Sequence, residues 1–219
     1  VGVVPIPTRN EIKRIDYPDR IFGNVEEQLY AALDEVMEIH ATGQPVLLIS
    51  ESIAMTDIIS ELLLQAQVPH NVLNAYNIAK EAQVIAEAGE KNAVTIATSI
   101  AGRGTDIKLG EGVRELGGLA LIGIGRMANT RIEMQARGRS GRQGDPGFSR
   151  FYVSLEDDIV LEHGPEKLDK YRKKEGEITS GKMLHVINNA QKVAEEQARE
   201  ARRSTQEYGE SIRNQRELI

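Results

Sequence analysis

The sequence predicts an α/β fold: a parallel sheet flanked by helices, followed by a long C-terminal helix. Two observations predict the sheet domain. Short apolar runs such as residues 45–50 (PVLLIS) alternate with segments of helical periodicity, and glycines or polar caps separate them. A third observation predicts the C-terminal helix: beyond residue 160 charged residues become dense and the strand signals disappear.

The first elements follow from local signals. Residues 1–23 contain three prolines and little periodicity, which predicts an extended linker. Asn24 is a suitable N-cap for a helix whose apolar positions recur at helical spacing until Gly43, a natural helix stop. The continuous apolar run at 45–50 is typical of a buried parallel strand, and Ser52 can cap the helix after it.

The later elements continue the alternation. Strands are predicted at 70–73, 94–97, 119–124 and 151–155, and helices at 78–87 and 130–136. Strands that alternate with helices imply right-handed crossovers and a parallel sheet, whose ligands lie at the carboxyl ends of the strands. The α/β domain is therefore predicted to span residues 24–160. Residues 161–219 are predicted to hold a short charged helix at 166–174 and a long helix from about Lys182, along which mostly small residues recur every seven positions.

Composition excludes several classes of protein. The formal net charge is -6, which argues against a basic nucleic-acid binder, and the absence of cysteine excludes disulfides and Cys-ligated metal sites. No apolar run approaches the ~18 residues that span a bilayer, and no signal peptide is visible. The four histidines lack ligand spacing, and the acidic run at 156–158 is best explained as the first turn of a helix, so no metal site is predicted.

Two glycine- and arginine-rich segments carry the chemistry. Gly102-Arg103-Gly104-Thr105-Asp106 follows the strand predicted at 94–97. Gln135-Ala136-Arg137-Gly138-Arg139-Ser140-Gly141-Arg142 begins at the end of the helix predicted at 130–136. Glycine lets the backbone approach a ligand closely, and arginine is a charged planar fork that fits a multi-oxygen anion such as phosphate. Both segments fall just after or near the carboxyl ends of strands, so together they predict half of a nucleotide site. The alternatives are ordinary ones: a turn capped by Asp106 and solvated surface arginines.

These segments resemble a known family. IATSIAGRGTDI and QARGRSGRQGDPG are similar to motifs five and six of superfamily-two helicase-like ATPases. The longer run ARGRSGRQGDPGFSRFYVSLEDDI resembles SecA, the motor ATPase of bacterial protein export, as do QPVLLISESI and HNVLNA. The resemblance covers nearly all of the chain. It implies a second, RecA-like nucleotide-binding domain of the helicase C-terminal type at 24–160, the start of the helical scaffold at 161–219, and a linker at 1–23 that returns from the preprotein-binding domain.

The resemblance also implies roles for individual residues. Arg139 and Arg142 would face the γ-phosphate as catalytic arginine fingers, which stabilise charge on the transferred phosphoryl group. The other site residues would contact the nucleotide: Gly102, Arg103, Gly104, Thr105, Asp106 and Gln135. Arg137 is expected to form an ion pair within the domain instead.

Cofactor and partners follow from the same resemblance. The cofactor would be ATP, with Mg²⁺ held mainly by a missing amino-terminal motor domain. No G-x-x-x-x-G-K-[ST] phosphate loop occurs in the sequence, and the chain begins at Val1, so we expect an internal fragment that does not hydrolyse ATP alone. The implied partners are that amino-terminal domain, a SecY-type channel and a preprotein, at the cytoplasmic face of the bacterial membrane. Contact with an acidic lipid surface and a homodimer stay open, and no nucleic acid is expected.

Departures from the family pattern keep other functions open. Gly125, Met127, Ala128 and Thr130 stand where the family usually has Glu, His, Glu and Arg, which indicates an accessory, second-copy SecA. A second hypothesis is the C-terminal half of a nucleic-acid helicase, which the acidic balance and the nine aromatic residues argue against. A third is a docking module without a catalytic role.

Overall fold

The computed structural model describes residues 4, 9–73, 78–102 and 104–217, without the side chains of 78–80 and 207–217. A parallel sheet forms its centre, and helices connect most of the successive strands. The strands are β1 (Arg14–Asp16), β2 (Arg20–Phe22), β3 (Val46–Ser50), β4 (Asn71–Leu73), β5 (Val94–Thr98), β6 (Leu119–Ile124) and β7 (Gly147–Ser154). The helices are α1 (Val25–Ala41), α2 (Ile53–Gln65), α3 (Ile78–Glu87), α4 (Thr130–Arg137), α5 (Asp158–His163), α6 (Asp169–Arg172) and α7 (Gly181–Glu217), with 3-10 turns at Arg142–Gly144 and Glu166–Leu168.

The strand order is β1-β7-β6-β3-β5-β4, and β2 pairs with β7 beside β1. Every pairing between these strands is parallel. The predicted elements between residues 24 and 160 are therefore present, with bounds that differ by a few residues. The largest shift is β7, which begins at Gly147 rather than 151.

Local caps explain where the helices start. The side chain of Asn24 accepts a hydrogen bond from the Glu27 N–H at 2.9 Å. Ser52 caps α2 through the Met55 N–H, and Asn129 caps α4 through the Ile132 N–H. Such caps satisfy amide groups that have no partner inside the helix. The caps at Asn24 and Ser52 were predicted from the sequence.

One edge of the sheet lies within the segment predicted to be a linker. β1 and β2 follow one another along the same side of β7, which they pair in parallel. Pro18 lies between β1 and β2. Proline has no backbone N–H to donate to the sheet, so it interrupts the pairing and is tolerated at an edge. The linker prediction for 1–23 therefore needs correction at 14–22: this stretch is extended, but it is part of the sheet.

The two faces of the sheet bury separate apolar layers. Val46 and Leu48 on β3 point to the layer that packs under α1 and α2. Leu47 and Ile49 point to the opposite layer, which reaches α3, α4, α5 and the start of α7. Side chains alternate between the faces of a strand, so a strand covered on both sides is apolar throughout.

The long C-terminal helix was predicted, but its packing changes along its length. Met183, Ile187 and Ala190 of α7 are buried against the domain. Residues 196–206 are exposed throughout, so the seven-residue pattern contributes to the core only at the start of the helix. Within the described residues no helix combines the length and apolarity needed to cross a membrane.

Candidate functional site

The first glycine-rich segment forms a tight turn after β5. Gly102 and Gly104 have φ values of +66° and +87°, in the left-handed region that favours glycine. The Thr105 hydroxyl donates to the Gly102 carbonyl at 2.5 Å and closes the turn. Glu81 on α3 holds it from outside, since its carboxylate accepts the Gly102 N–H at 2.8 Å. Arg103, predicted to bind nucleotide, lies outside the described residues.

The second segment forms a loop between α4 and β7, residues 138–144, which we call the arginine loop. Gly141 has φ +67°, whereas Gly138 has φ -68°, a conformation open to any residue. A Cβ at Gly141 would also meet the Arg14 Cβ at 2.5 Å. Glycine is thus required at 141 by the turn and by a close approach. The backbone at Gly138 does not require glycine.

The arginine loop begins at the opposite end of the sheet from the one expected. The Ser140 hydroxyl donates to the carbonyl of Leu119, the first residue of β6, at 2.7 Å. A helix that follows a parallel strand runs back along the sheet, so the loop after it starts near the amino ends of the strands. The expectation that both segments lie at carboxyl ends therefore holds for the turn after β5 but is wrong for the arginine loop.

The two segments nevertheless meet through arginine side chains. Arg139 reaches to the carbonyl of Ser99, the residue after β5, with an Nη2–O distance of 3.0 Å. Arg142 donates from Nη1 to Asp106 Oδ1 and to the Thr105 carbonyl, both at 3.0 Å. Asp106 therefore holds an arginine side chain rather than capping a turn on its own.

The electrostatic surroundings of the two arginines differ. Burial lowers the pKa of Arg139, the nearby positive charge of Arg142 lowers it further, and Glu81 opposes both. Arg139 nevertheless stays charged, because an arginine pKa starts far above neutral pH. Arg142 keeps 37% of its side chain exposed and has a carboxylate partner. Arg139 is thus a partly buried cation without a direct carboxylate contact among the described residues, a setting that favours an added anion.

A cleft of about 330 Å³ brings the predicted residues together. Both arginines, one residue of α4 and the turn after β5 share it. Its lining is Ser99, Gly102, Gly104, Gln135, Gly138, Arg139 and Arg142. Thr105 and Asp106 are absent from this lining but contact Arg142. Two guanidinium groups in one cleft can bind a multi-oxygen anion such as phosphate.

Sequence analysis missed Glu81, which contacts the turn. It lies outside both motifs, on a helix whose charged residues resemble those of any solvated face. Its signal is only visible in three dimensions, where it accepts the Gly102 N–H and lies near Arg139.

A network of buried charges supports the helix that leads into the arginine loop. Arg137 at the end of α4 donates to Glu133 at 2.9 Å and to Asp19 at 2.8 Å. Arg126, after β6, contacts the same two carboxylates. Although burial opposes it, the charges of Arg126 and Arg137 hold the pKa of Glu133 below its usual range. The expected intradomain ion pair of Arg137 is confirmed.

This network also reaches the start of α7. Asn188 accepts from Arg126 Nη2 at 2.8 Å, and Gln191 donates to the Met127 carbonyl at 2.9 Å. Gly125, at φ +82°, and Met127, which is fully buried, are two of the departures from the family pattern. They lie where the long helix docks, beside the network rather than in the cleft.

The acidic run at 156–158 serves as a structural anchor. Asp157 accepts hydrogen bonds from the Arg126 and Ser154 amides and from the Gln28 side chain. Asp157 is also the residue before α5, so the prediction of an acidic helix start is confirmed. Within the described residues no group of three or more His, Asp or Glu side chains could hold a metal ion.

Replacing Asp157 by asparagine should flatten the dependence of stability on pH. Burial raises the pKa of Asp157 to about 6, from 3.8 in a model peptide. Between these values the native state binds a proton that the unfolded state has released, so stability falls as pH rises through this window. The expected change is up to about 3 kcal/mol, since one pKa unit corresponds to about 1.4 kcal/mol. Urea unfolding at pH 4 to 7 measures it, and an equally steep slope in Asp157→Asn would contradict the assignment. Asp158→Asn, at an exposed neighbour, is the control.

One segment shares the glycine spacing of a phosphate loop without its structure. Gly176 and Gly181 are followed by Lys182, but Met183 stands where the loop needs Ser or Thr. Glu177, inside this segment, forms a single antiparallel bridge with Phe22, whereas a phosphate loop follows a strand. Lys182 is exposed at the start of α7.

The sequence of the chain matches a known protein family and two curated relatives. The family model described as the SecA P-loop domain matches residues 11–113 and 110–181. The protein translocase subunit SecA 2 of Streptococcus gordonii is 49% identical over 227 residues, which is 100% of this chain and 29% of the relative. SecA 2 of Streptococcus agalactiae serotype V is 47% identical over 226 residues, 99% of this chain and 28% of the relative. The chain thus spans less than a third of these curated relatives.

A solved structure supports the fold. The DEAD-box helicase Mss116, bound to ssRNA and UDP-BeF, superposes with a TM-score of 0.54 at 13% identity, over 83% of this chain and 36% of that chain. This likeness concerns the fold alone. Together with the parallel sheet flanked by helices, it confirms the predicted RecA-like α/β class.

Proposed function

The chain belongs to the SecA P-loop domain family, and from this premise we propose that it is the second motor domain of an ATP-driven protein-export motor. The observation that carries the proposal is the shared cleft, where the turn after β5 meets Arg139 and Arg142. In this proposal residues 24–160, with the edge strands at 14–22, form the second nucleotide-binding domain, and residues 161–219 start the helical scaffold.

The chemical role of the domain is to donate positive charge. ATP would bind between this cleft and a second domain that carries a phosphate loop and the Mg²⁺-binding acids. Arg139 and Arg142 would face the γ-phosphate, where charge grows on the equatorial oxygens during transfer. Gly102, Gly104, Thr105, Asp106 and Gln135, with Arg103, would contact the nucleotide or orient the arginines.

The mechanical role follows from closure of that cleft. Nucleotide bound between two domains favours their closure, and hydrolysis lets them separate again. The domains therefore close and open once per ATP. In an export motor this movement would push a preprotein through a SecY-type channel at the cytoplasmic face of the membrane. Support comes from the SecA 2 relatives and from α7, which leaves the domain from the buried network beside α4. Acidic lipid contact and a homodimer remain part of the proposal.

Mixing separate halves of the motor tests the two-domain site. We expect no ATP turnover above background from this 219-residue chain alone, because its sequence contains no G-x-x-x-x-G-K-[ST] loop. Adding an amino-terminal half that carries that loop should raise turnover above the sum of the separate rates. Turnover by this chain alone would refute the two-domain site. RNA-stimulated turnover of the complete protein would instead favour the helicase hypothesis.

A further inference from the structure

The segment before β1 lies across the arginine loop. We call residues 10–14 the strap. The Asn10 side chain donates from Nδ2 to the Gln143 carbonyl at 2.7 Å, and Arg14 donates from Nη1 to the Ser140 carbonyl at 3.3 Å. A Cβ at Gly144 would lie 3.1 Å from the Asn10 Cβ. The strap therefore contacts the arginine loop both before and after Arg142 in the chain.

Gln143 makes this contact informative. It has φ +57° and ψ +19°, in the left-handed region that a residue with a Cβ rarely adopts. The neighbouring glycines at 141 and 144 also have positive φ, so the loop follows a course that suits glycine. Gln143 adopts the same positive φ although it is not a glycine, and its carbonyl accepts the hydrogen bond from Asn10.

Gln143 directly follows Arg142, whose side chain has partners on two sides. Arg142 Nε donates to the Gly138 carbonyl at 3.0 Å, and Nη1 contacts Asp106 at 3.0 Å. With the backbone at 142 and 143 turned as observed, these contacts hold the Arg142 side chain at the cleft.

We propose that Asn10 is a positioning residue: through the Gln143 carbonyl, the strap holds the arginine loop in the conformation that presents Arg142 to the cleft. The inference rests on the proposed function, because it concerns the presentation of a nucleotide-facing arginine. It adds a residue outside both motifs, in the segment predicted to be a linker.

A double-mutant cycle in the complete protein tests the link. Asn10→Ala removes the hydrogen bond to the Gln143 carbonyl, and we expect kcat for ATP to fall about threefold or more while KM changes less. Gln143→Gly makes positive φ free of cost, so it should make turnover independent of Asn10. The expected result is therefore a loss in Asn10→Ala that is absent when Asn10→Ala is made in the Gln143→Gly background.

The matched control is Asn71→Ala. Asn71 lies on β4, at the opposite edge of the sheet, and its side chain likewise donates an exposed hydrogen bond, to Glu87 at 3.0 Å. It should leave kcat unchanged. An unchanged kcat in Asn10→Ala would overturn the inference, and so would an equal loss with and without Gln143→Gly, which would show that Asn10 acts by another route.

Arg142→Ala in the same protein separates the two levels of the argument. If Arg142→Ala abolishes turnover while Asn10→Ala has no effect, the proposed function stands and the strap inference fails. If Arg142→Ala leaves turnover unchanged, the arginine-finger role fails and takes the strap inference with it.

Discussion

Arg142→Ala is expected to lower ATP turnover of the complete protein about 10³-fold or more. An arginine finger stabilises charge that appears only as the phosphoryl group transfers, so its loss affects kcat much more than nucleotide affinity. The side chain is suited to this role because 37% of it is exposed and Asp106 holds it at the cleft. Steady-state turnover and equilibrium nucleotide binding, measured on the same variant, separate the two effects.

Two further variants sharpen the result. Arg142→Lys keeps the charge but loses the planar fork, so we expect ATP turnover between that of the wild type and that of Arg142→Ala. Arg199→Ala changes an exposed arginine on α7 and should leave turnover within about twofold, as expected for a surface site. An Arg142→Ala protein with wild-type turnover would support the docking-module hypothesis instead.

The largest effect on stability is expected from Arg126→Ala, which should lower the free energy of unfolding by about 3–5 kcal/mol. The Arg126 side chain is only 2% exposed and pairs with Asp19 and Glu133 at 2.9 Å. Its removal leaves two buried carboxylates with Arg137 as their remaining cation. A domain is typically stable by about 5–15 kcal/mol, so this change brings it close to unfolding.

Urea denaturation of the 219-residue chain measures this loss. Asp169→Ala provides the comparison, because it removes one member of an exposed ion pair with Arg172. Exposed pairs contribute about 0–1 kcal/mol, so the two variants should differ severalfold. A loss below 1 kcal/mol in Arg126→Ala would mean that the buried network does not stabilise the docking of α4 and α7.

Much of the domain could be predicted because its signals are local. Asn24 and Ser52 cap helices through contacts three residues away, and apolar runs mark strands buried on both faces. The same holds for the cleft: five predicted residues, Gly102, Gly104, Gln135, Arg139 and Arg142, line it together. Their residue types carry the chemistry, so the composition of the site was visible before its shape.

Tertiary structure alone decided which distant residues contact the arginine loop and the helix before it. Asp19 pairs with Arg137 across 118 positions, and Asn10 reaches Gln143 across 133. Periodicity and capping describe neighbours in the chain, whereas these contacts depend on which edge of the sheet β1 and β2 join. The same topology sends α4 back along the sheet and places the arginine loop at the amino ends of the strands.

Local hydrogen bonds and side-chain alternation therefore set the helices and the strands from the amino-acid order, and the residue types of the two motifs predict the candidate anion site. The packing of a parallel sheet set the rest: the strap over the arginine loop, the carboxylate of Glu81 at the turn, and the buried charges between α4 and α7. Such contacts form only when the whole sheet has assembled, because their partners are brought together by strand order and not by proximity in the chain.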